Sequence, residues 1–106
     1  MVKYSVCKKI DGYRKVAIPK KICKILEWEC GTILYCLVQE KDNKLYIFQN
    51  IHDFKQEKKV IHLETRKMDN LYRIVVPKQI MDCLEWKKHD NIIITFKNKY
   101  VCVEKC

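Results

Sequence analysis

The sequence predicts a mainly β fold with short helices, in which two β-β-α-β-β repeats together close one small barrel. The first observation is an internal repeat, because residues 16–28 read VAIPKKICKILEW and residues 74–86 read IVVPKQIMDCLEW. A match of this length indicates two copies of one supersecondary unit. The second observation is size, because each copy has fewer than about 50 residues and a core that small is marginal alone. We therefore expect the copies to pack as a pseudo-twofold pair, whose interleaved hairpins leave few exposed strand edges.

We place copy one at residues 1–48, a linker at 49–59 and copy two at 60–106. In copy one, the β-rich run 2–7 predicts a first strand. Asp11-Gly12 then predicts a hairpin turn, since Asp-Gly between extended runs favours tight turns. Residues 13–18 predict the returning strand of this first hairpin.

Pro19 separates the first hairpin from a predicted helix of about two turns. Proline has no N–H for a strand ladder, and it fits the first turn of a helix. Ile22, Ile25 and Leu26 recur at helical spacing and predict its apolar face, and Gly31 predicts its end. A second hairpin is predicted from strands at 32–38 and 44–48 around a polar turn at 40–43.

Copy two follows the same order of elements. Pro77 opens its helix, and Ile80, Cys83 and Leu84 predict the apolar face. Its strands are predicted at 60–65, 72–76, 91–96 and 100–103. The linker is polar and charged apart from Ile51 and Phe54, and we expect one of these two side chains to pack on the body.

The charge of the chain indicates a polyanionic partner. The formal net charge is +9, and both parts of the chain share it: residues 1–58 carry +5 and residues 59–106 carry +4. A folded basic domain of this kind favours binding to nucleic acid. The alternative is a lysine-rich surface that serves only solubility.

The seven cysteines predict reduced thiols in a reducing cytoplasm. Their number is odd, no C-x-x-C pair occurs, and Cys23, Cys36 and Cys83 occupy positions that are apolar in the other copy. Cys7, Cys102 and Cys106 form a weak candidate for zinc, since strong zinc patterns show paired short spacings. The sequence contains no leader-like run and no apolar stretch of 18 residues, so we expect no signal peptide and no membrane span.

No residue pattern indicates an enzyme or a cofactor. The three histidines share no ligand spacing, and the carboxylates show no acid–base pairing. Trp28 and Trp86 follow the two helices at equivalent places, and we predict that they cap the core. For Tyr13 and Tyr72, contact with DNA and packing on a strand both remain open.

Residues 8–22 (KKIDGYRKVAIPKKI) and 66–90 (RKMDNLYRIVVPKQIMDCLEWKKHD) resemble the AbrB/SpoVT family of transition-state regulators. The family pattern runs basic–basic–hydrophobic–Asp, then Gly-Arg, three β-formers, Pro, a short helix ending in Leu-Gly, a Gly-Asp turn and a second hairpin. The resemblance covers nearly all of both copies. The MraZ family also has tandem units, in a longer chain.

The resemblance implies a swapped-hairpin β-barrel made within one chain as a pseudo-dimer. It also implies a transcriptional regulator that binds double-stranded DNA, is cytoplasmic and nucleoid-associated, and self-associates into dimers of barrels. The chain departs from the pattern at both glycines. Arg14 and Tyr72 replace the glycine before the motif arginine, and Glu27 and Glu85 replace the glycine after the helix.

The predicted DNA contacts are basic residues of the first hairpins and the helix starts. Lysines there would neutralise phosphates, and Arg14, Arg66 and Arg73 could fork onto guanine edges. The full predicted set is Lys8, Lys9, Arg14, Lys15, Lys20, Lys21, Lys24, Arg66, Lys67, Arg73 and Lys78.

The rival interpretation is a protein-interaction module, or an antitoxin-like component, that kept the barrel and lost or weakened DNA binding. Copy two supports it, because Met81-Asp82 stand where the family has paired basic residues. The observation that separates the two is whether the basic residues converge on one face, or are instead consumed by ion pairs with Asp11 and Asp69.

Overall fold

The computed structural model describes residues 4–106, and their fold is mainly β with two short helices, as predicted. The predicted start of the first strand at residues 2 and 3 lies outside the described residues. The elements are β1 (Tyr4–Lys9), β2 (Lys15–Ala17), α1 (Lys20–Leu26), β3 (Ile33–Gln39), β4 (Lys44–Phe48), β5 (Val60–Lys67), β6 (Arg73–Val75), α2 (Lys78–Leu84), β7 (Asn91–Phe96) and β8 (Val101–Lys105).

The strands form an antiparallel six-stranded sheet in the order β1-β7-β8-β4-β3-β5 and a two-stranded ribbon, β2-β6. Among the described strands, only β3·β4 and β7·β8 are ladders between strands of one half. The ladders β1·β7, β3·β5, β4·β8 and β2·β6 each join the first half of the chain to the second. The hairpins predicted between β1 and β2 and between β5 and β6 are therefore wrong, since each of these strands pairs with a strand of the other half.

The predicted closed barrel is not found. Strands β1 and β5 end the large sheet, and no ladder joins them within residues 4–106. Because β2 and β6 pair with each other, they extend neither end of that sheet. The ribbon instead turns Val16 and Ile74 into the main core, where both side chains are buried.

One hydrophobic core takes side chains from both halves of the chain. Trp28 is 3% exposed and Trp86 is 4% exposed, and both belong to this core, which confirms their predicted role. The linker carries no helix or strand, but Phe54 packs into a smaller cluster with Leu37 and Phe48. Ile51 stays exposed, so one of the two apolar linker residues packs on the body, as expected.

The predicted apolar faces of the helices are partly wrong. Ile25 is 58% exposed and Cys83 is exposed, whereas Cys23 and Met81 are buried. Successive helical residues turn by about 100°. In each helix the side that faces the core lies between the first buried isoleucine, Ile22 or Ile80, and the residue after it. The residue three places after that isoleucine therefore points away from the core. In a helix of two turns the apolar residues fit either of two neighbouring faces, and the position of the core decides which face is buried.

Both helices end at a glutamate in the left-handed conformation, where the resembled family has glycine. Glu27 has φ 59° and Glu85 has φ 58°. A residue other than glycine pays about 1–2 kcal/mol for this conformation. A negative charge at a helix C-terminus is also unfavourable.

We expect Glu27→Gly to raise the free energy of unfolding by about 0.5–1 kcal/mol, since the relieved strain exceeds the added flexibility of the unfolded chain. Urea denaturation followed by circular dichroism measures the change. Glu27→Gln is the matched control, because it removes the charge and keeps the strain. Equal stabilisation by both variants would contradict the role given to the backbone conformation.

Candidate nucleic-acid interface

The β2·β6 ribbon presents two basic side chains outward. In its antiparallel register Lys15 lies opposite Val75, Val16 opposite Ile74 and Ala17 opposite Arg73. Side chains alternate between the faces of a strand. Since Val16 and Ile74 are buried, Lys15 and Arg73 stand on the opposite, outer face.

Each ribbon strand is preceded by a loop that an aspartate organises. Asp11 Oδ1 accepts hydrogen bonds from the backbone N–H groups of Tyr13 and Lys15, both at 2.8 Å. Asp69 Oδ1 accepts the equivalent bonds from Leu71 and Arg73, both at 2.9 Å. The two loops are therefore built in the same way, and they lie at opposite ends of the ribbon.

The residue before each ribbon strand is left-handed. Arg14 has φ 63° and Tyr72 has φ 60°, which explains the glycine of the family pattern at these positions. Arg14 Nε donates to the Val76 carbonyl at 3.2 Å, so this predicted DNA residue is partly engaged with the protein. Tyr72 packs against the core, while Tyr13 is 79% exposed at its loop.

Two predicted DNA contacts belong to an ion-pair cluster between the loops. Arg73 Nε donates to Asp69 Oδ2 at 2.9 Å, and Arg73 Nη1 lies 3.9 Å from Asp11 Oδ2. Lys15 Nζ lies 3.8 Å from Asp69 Oδ2. Two carboxylates therefore compensate two cations at the centre of the ribbon face.

The loops hold the pKa of both aspartates below its usual value. Partial burial alone would raise the pKa of Asp69, but hydrogen bonds from the Arg73 and Leu71 amides and from the Arg73 guanidinium outweigh it. At Asp11 burial is likewise opposed by the Lys15 and Tyr13 amides and by two nearby cations. Both carboxylates stay ionised to lower pH in the folded state than in the unfolded chain.

We expect stability to fall with acid through these two groups. A depressed folded pKa gives stabilisation that is complete above the unfolded value of about 3.9 and is lost as pH falls through the lower folded value. The variant Asp11→Asn/Asp69→Asn keeps the Oδ1 acceptor of the loop amides, replaces the Oδ2 partner of Arg73 with an NH2 group and removes the titration. Its stability at pH 7 should be roughly 1 kcal/mol lower than that of the wild type, with a shallower loss between about pH 5 and pH 2. Denaturant midpoints at several pH values measure both effects, and Asp82→Asn, at an exposed position, is the control. If the double variant and the wild type lost stability in parallel as the pH falls, the stabilising role of the two carboxylates would be contradicted.

Three of the eleven predicted residues are ion-paired. Besides Lys15 and Arg73, Arg66 Nη2 lies 3.6 Å from Glu64 Oε1. Within residues 4–106, the other eight have no acidic oxygen within 4.0 Å: Lys8, Lys9, Arg14, Lys20, Lys21, Lys24, Lys67 and Lys78. Most of the predicted set therefore carries uncompensated charge.

Strand register places Lys9 at the end of β1 and Lys67 at the end of β5, at diagonally opposite corners of the large sheet. These two strand ends lead into the ribbon, and we call them together the ribbon end. Lys9 pairs with Asn91, and Lys67 pairs with Ile33. Both lysines directly precede the aspartate loops, while Lys20 and Lys78 begin the helices that follow the ribbon. The ribbon and its flanking lysines thus adjoin one another along the chain.

Two findings weigh against the convergence of the basic residues on one face. Lys8 and Lys9 point to opposite faces of β1, as Arg66 and Lys67 do on β5, so one residue of each pair faces away from the other. The linker and the turns of the β3·β4 and β7·β8 hairpins, which we call together the turn region, also carry exposed lysines: Lys41, Lys55, Lys58, Lys59, Lys97 and Lys99. Net charge alone therefore does not select the ribbon end.

Leu71 and His89 are candidate interface residues that the sequence argument missed. Leu71 is 59% exposed and occupies the place that Tyr13 has in the other loop. The His89 ring lies against the first loop, because a Cβ on Gly12 would be 3.7 Å from its Cε1 atom. His89 N also donates to the Ile10 carbonyl at 2.8 Å. Alignment of the two copies could have found Leu71, which matches Tyr13, whereas His89 matches Gly31 and carries no such signal.

The weak zinc candidate does not assemble. Cys7 and Cys106 come together, but Cys102 is buried, and residues 4–106 contain no group of three or more potential ligands of the His, Cys, Asp and Glu types. Over the same residues, no helix is long and apolar enough to cross a membrane. Comparison with protein-family models and with curated proteins finds no match for the chain.

Proposed function

We propose that this chain binds double-stranded DNA through the β2·β6 ribbon and its two loops, and acts as a transcriptional regulator of the AbrB/SpoVT type. The observation that carries the proposal is the outward pair of Lys15 and Arg73 on a ribbon adjoined by unpaired lysines. The ladders between the two halves support the swapped-hairpin part of the proposal, because hairpins exchanged between repeats produce such pairings.

The ribbon has the form of a major-groove reader. A major groove about 12 Å wide admits a two-stranded ribbon. Asp11 and Asp69 hold Lys15 and Arg73 in place before DNA arrives, which lowers the entropy that binding must remove. The guanidinium of Arg73 has five N–H donors, so it keeps donors for a guanine edge while it binds both carboxylates.

Affinity in this proposal comes from the unpaired lysines around the ribbon. The molecule measures 31 × 30 × 27 Å, so one face covers about nine base pairs at about 3.4 Å per pair. About five phosphate contacts from the eight unpaired cations would give a salt slope of about −4.5. Binding should then be weakly dependent on sequence and strongly dependent on salt.

The test is fluorescence anisotropy with a labelled random-sequence duplex of about two helical turns, titrated at several salt concentrations. Affinity should fall about 500-fold between about 50 mM and 200 mM salt. Circular dichroism at each salt concentration controls for folding. A folded protein with no affinity for the duplex at the lowest salt would overturn the proposal.

The second candidate is the protein-interaction or antitoxin-like module, which two observations favour. The cations of Lys15, Arg66 and Arg73 are paired with carboxylates, as expected of a module that has lost or weakened DNA binding. Strand β5 ends the large sheet, and on it Ile61 and Leu63 are 43% and 50% exposed. An apolar edge strand can accept a strand from a partner or from a second copy of the chain. A folded protein without DNA affinity would select this candidate.

A further inference from the structure

The thiols of Cys7 and Cys106 lie side by side. Cys7 stands on β1 opposite Ile93, and the backbone N–H of Cys106 donates to the Asn91 carbonyl at 3.0 Å, so both cysteines adjoin β7. Their Sγ atoms are 3.5 Å apart, and both residues are exposed. Within residues 4–106 no other two thiols lie within hydrogen-bonding distance of each other.

We propose that Cys7 and Cys106 form a redox modification site that accepts oxidising equivalents from a low-molecular-weight disulfide such as glutathione disulfide. One thiolate attacks the glutathione disulfide, forms a mixed disulfide and releases one glutathione thiolate. The second thiolate attacks the cysteine sulfur of the mixed disulfide, closes the Sγ–Sγ bond and releases the second glutathione. The two cysteines lose two electrons and two protons, and the glutathione disulfide is reduced to two thiols.

The geometry requires little movement. The sulfur separation must shorten from 3.5 Å to about 2.05 Å, which rotation of two exposed side chains can supply. Exposure also gives the oxidant access to both sulfurs. The hydrogen bond between the two thiols raises the pKa of Cys106, so the exchange should be faster above neutral pH.

The bond would join distant parts of the chain. Cys7 and Cys106 are 99 residues apart, so the link closes nearly the whole sequence into one loop and removes conformational freedom from the unfolded state. Strand β1 ends the large sheet and pairs with β7 alone among the described strands. The disulfide would tie this end strand to the residue that follows β8.

The full reduced chain is equilibrated in glutathione redox buffers, alkylated, digested and analysed by mass spectrometry. We expect a peptide that links Cys7 to Cys106, a mass loss of two hydrogen atoms, and a melting temperature about 10 °C higher or more. The link should persist in Cys30→Ser and Cys83→Ser, which remove the other exposed thiols, and should be absent in Cys106→Ser.

Some outcomes would overturn the proposal. One is a mixed disulfide between glutathione and Cys7 or Cys106 that persists in a strongly oxidising glutathione buffer while the intrachain disulfide is absent. Another is a link between two chains that depends on protein concentration. Because both positions are exposed, Cys7→Ser should fold like the wild type, and its melting temperature should not respond to the oxidant.

Discussion

Trp86→Ala is expected to lower the free energy of unfolding by about 4 kcal/mol. The side chain is 4% exposed within the core that both halves share, and its backbone N–H donates to the Met81 carbonyl at 2.8 Å where α2 ends. Truncation of a buried tryptophan leaves a cavity and costs about 3–5 kcal/mol. A domain of this size has about 5–15 kcal/mol in total, so the variant loses much of its stability.

Urea denaturation followed by circular dichroism measures this loss. Trp28→Ala should produce a similar loss, because Trp28 has the equivalent place at the end of α1. Leu71→Ala, at an exposed loop position, is the control and should change stability by no more than about 0.5 kcal/mol. Because the halves share one core, each tryptophan variant should show a single transition. Two separate transitions, or a loss below about 1 kcal/mol, would contradict the shared core.

The second large effect concerns DNA affinity. Replacing Lys9, Lys20, Lys67 and Lys78 by glutamine removes four exposed cations that adjoin the ribbon in the chain. We expect affinity for a random-sequence duplex to fall about 100-fold at low salt. The salt slope should become less steep by about 3–4, since each phosphate contact contributes about one.

The chain supplies a matched control for this variant. Lys41, Lys55, Lys59 and Lys99 are also exposed, and their replacement changes the net charge equally. They lie in the linker and the hairpin turns, near Gln39, Val60 and Phe96. Within their ladders these residues lie at the ends opposite to Lys67 and Lys9. The ends of a strand seven residues long are about 20 Å apart. Equal losses of affinity in the two variants would mean that total charge, and not the ribbon end, drives binding.

Local signals predicted the elements well, because their causes are local. Pro19 and Pro77 cannot donate to a ladder and suit the start of a helix, so both helices begin directly after them. From the repeated tryptophans and the apolar strand residues, much of the hydrophobic core could be predicted. The turn at Asp11 was also found, although its aspartate works through backbone hydrogen bonds to Tyr13 and Lys15 and not through a tight Asp-Gly turn.

The candidate site was predicted as a set of residues but not as an arrangement. The pattern named Lys15 and Arg73, yet the ion pairs of Lys15 with Asp69 and of Arg73 with Asp11 join residues from different halves of the chain. Periodicity in one segment carries no information about a partner far away in sequence. The contact between Cys7 and Cys106, and the choice of Cys23 over Ile25 for the core, depend in the same way on tertiary packing.

The most direct test of the central claim is to map DNA binding residue by residue with amide ¹⁵N–¹H correlation spectra of the labelled protein. On adding a short duplex, we expect the largest shifts at residues 11–17 and 69–75, which form the loops and the ribbon. Amides of the turns at 40–43 and 97–100 should keep their positions. Shifts concentrated in those turns, or along the apolar edge of β5, with the ribbon unchanged, would contradict the account.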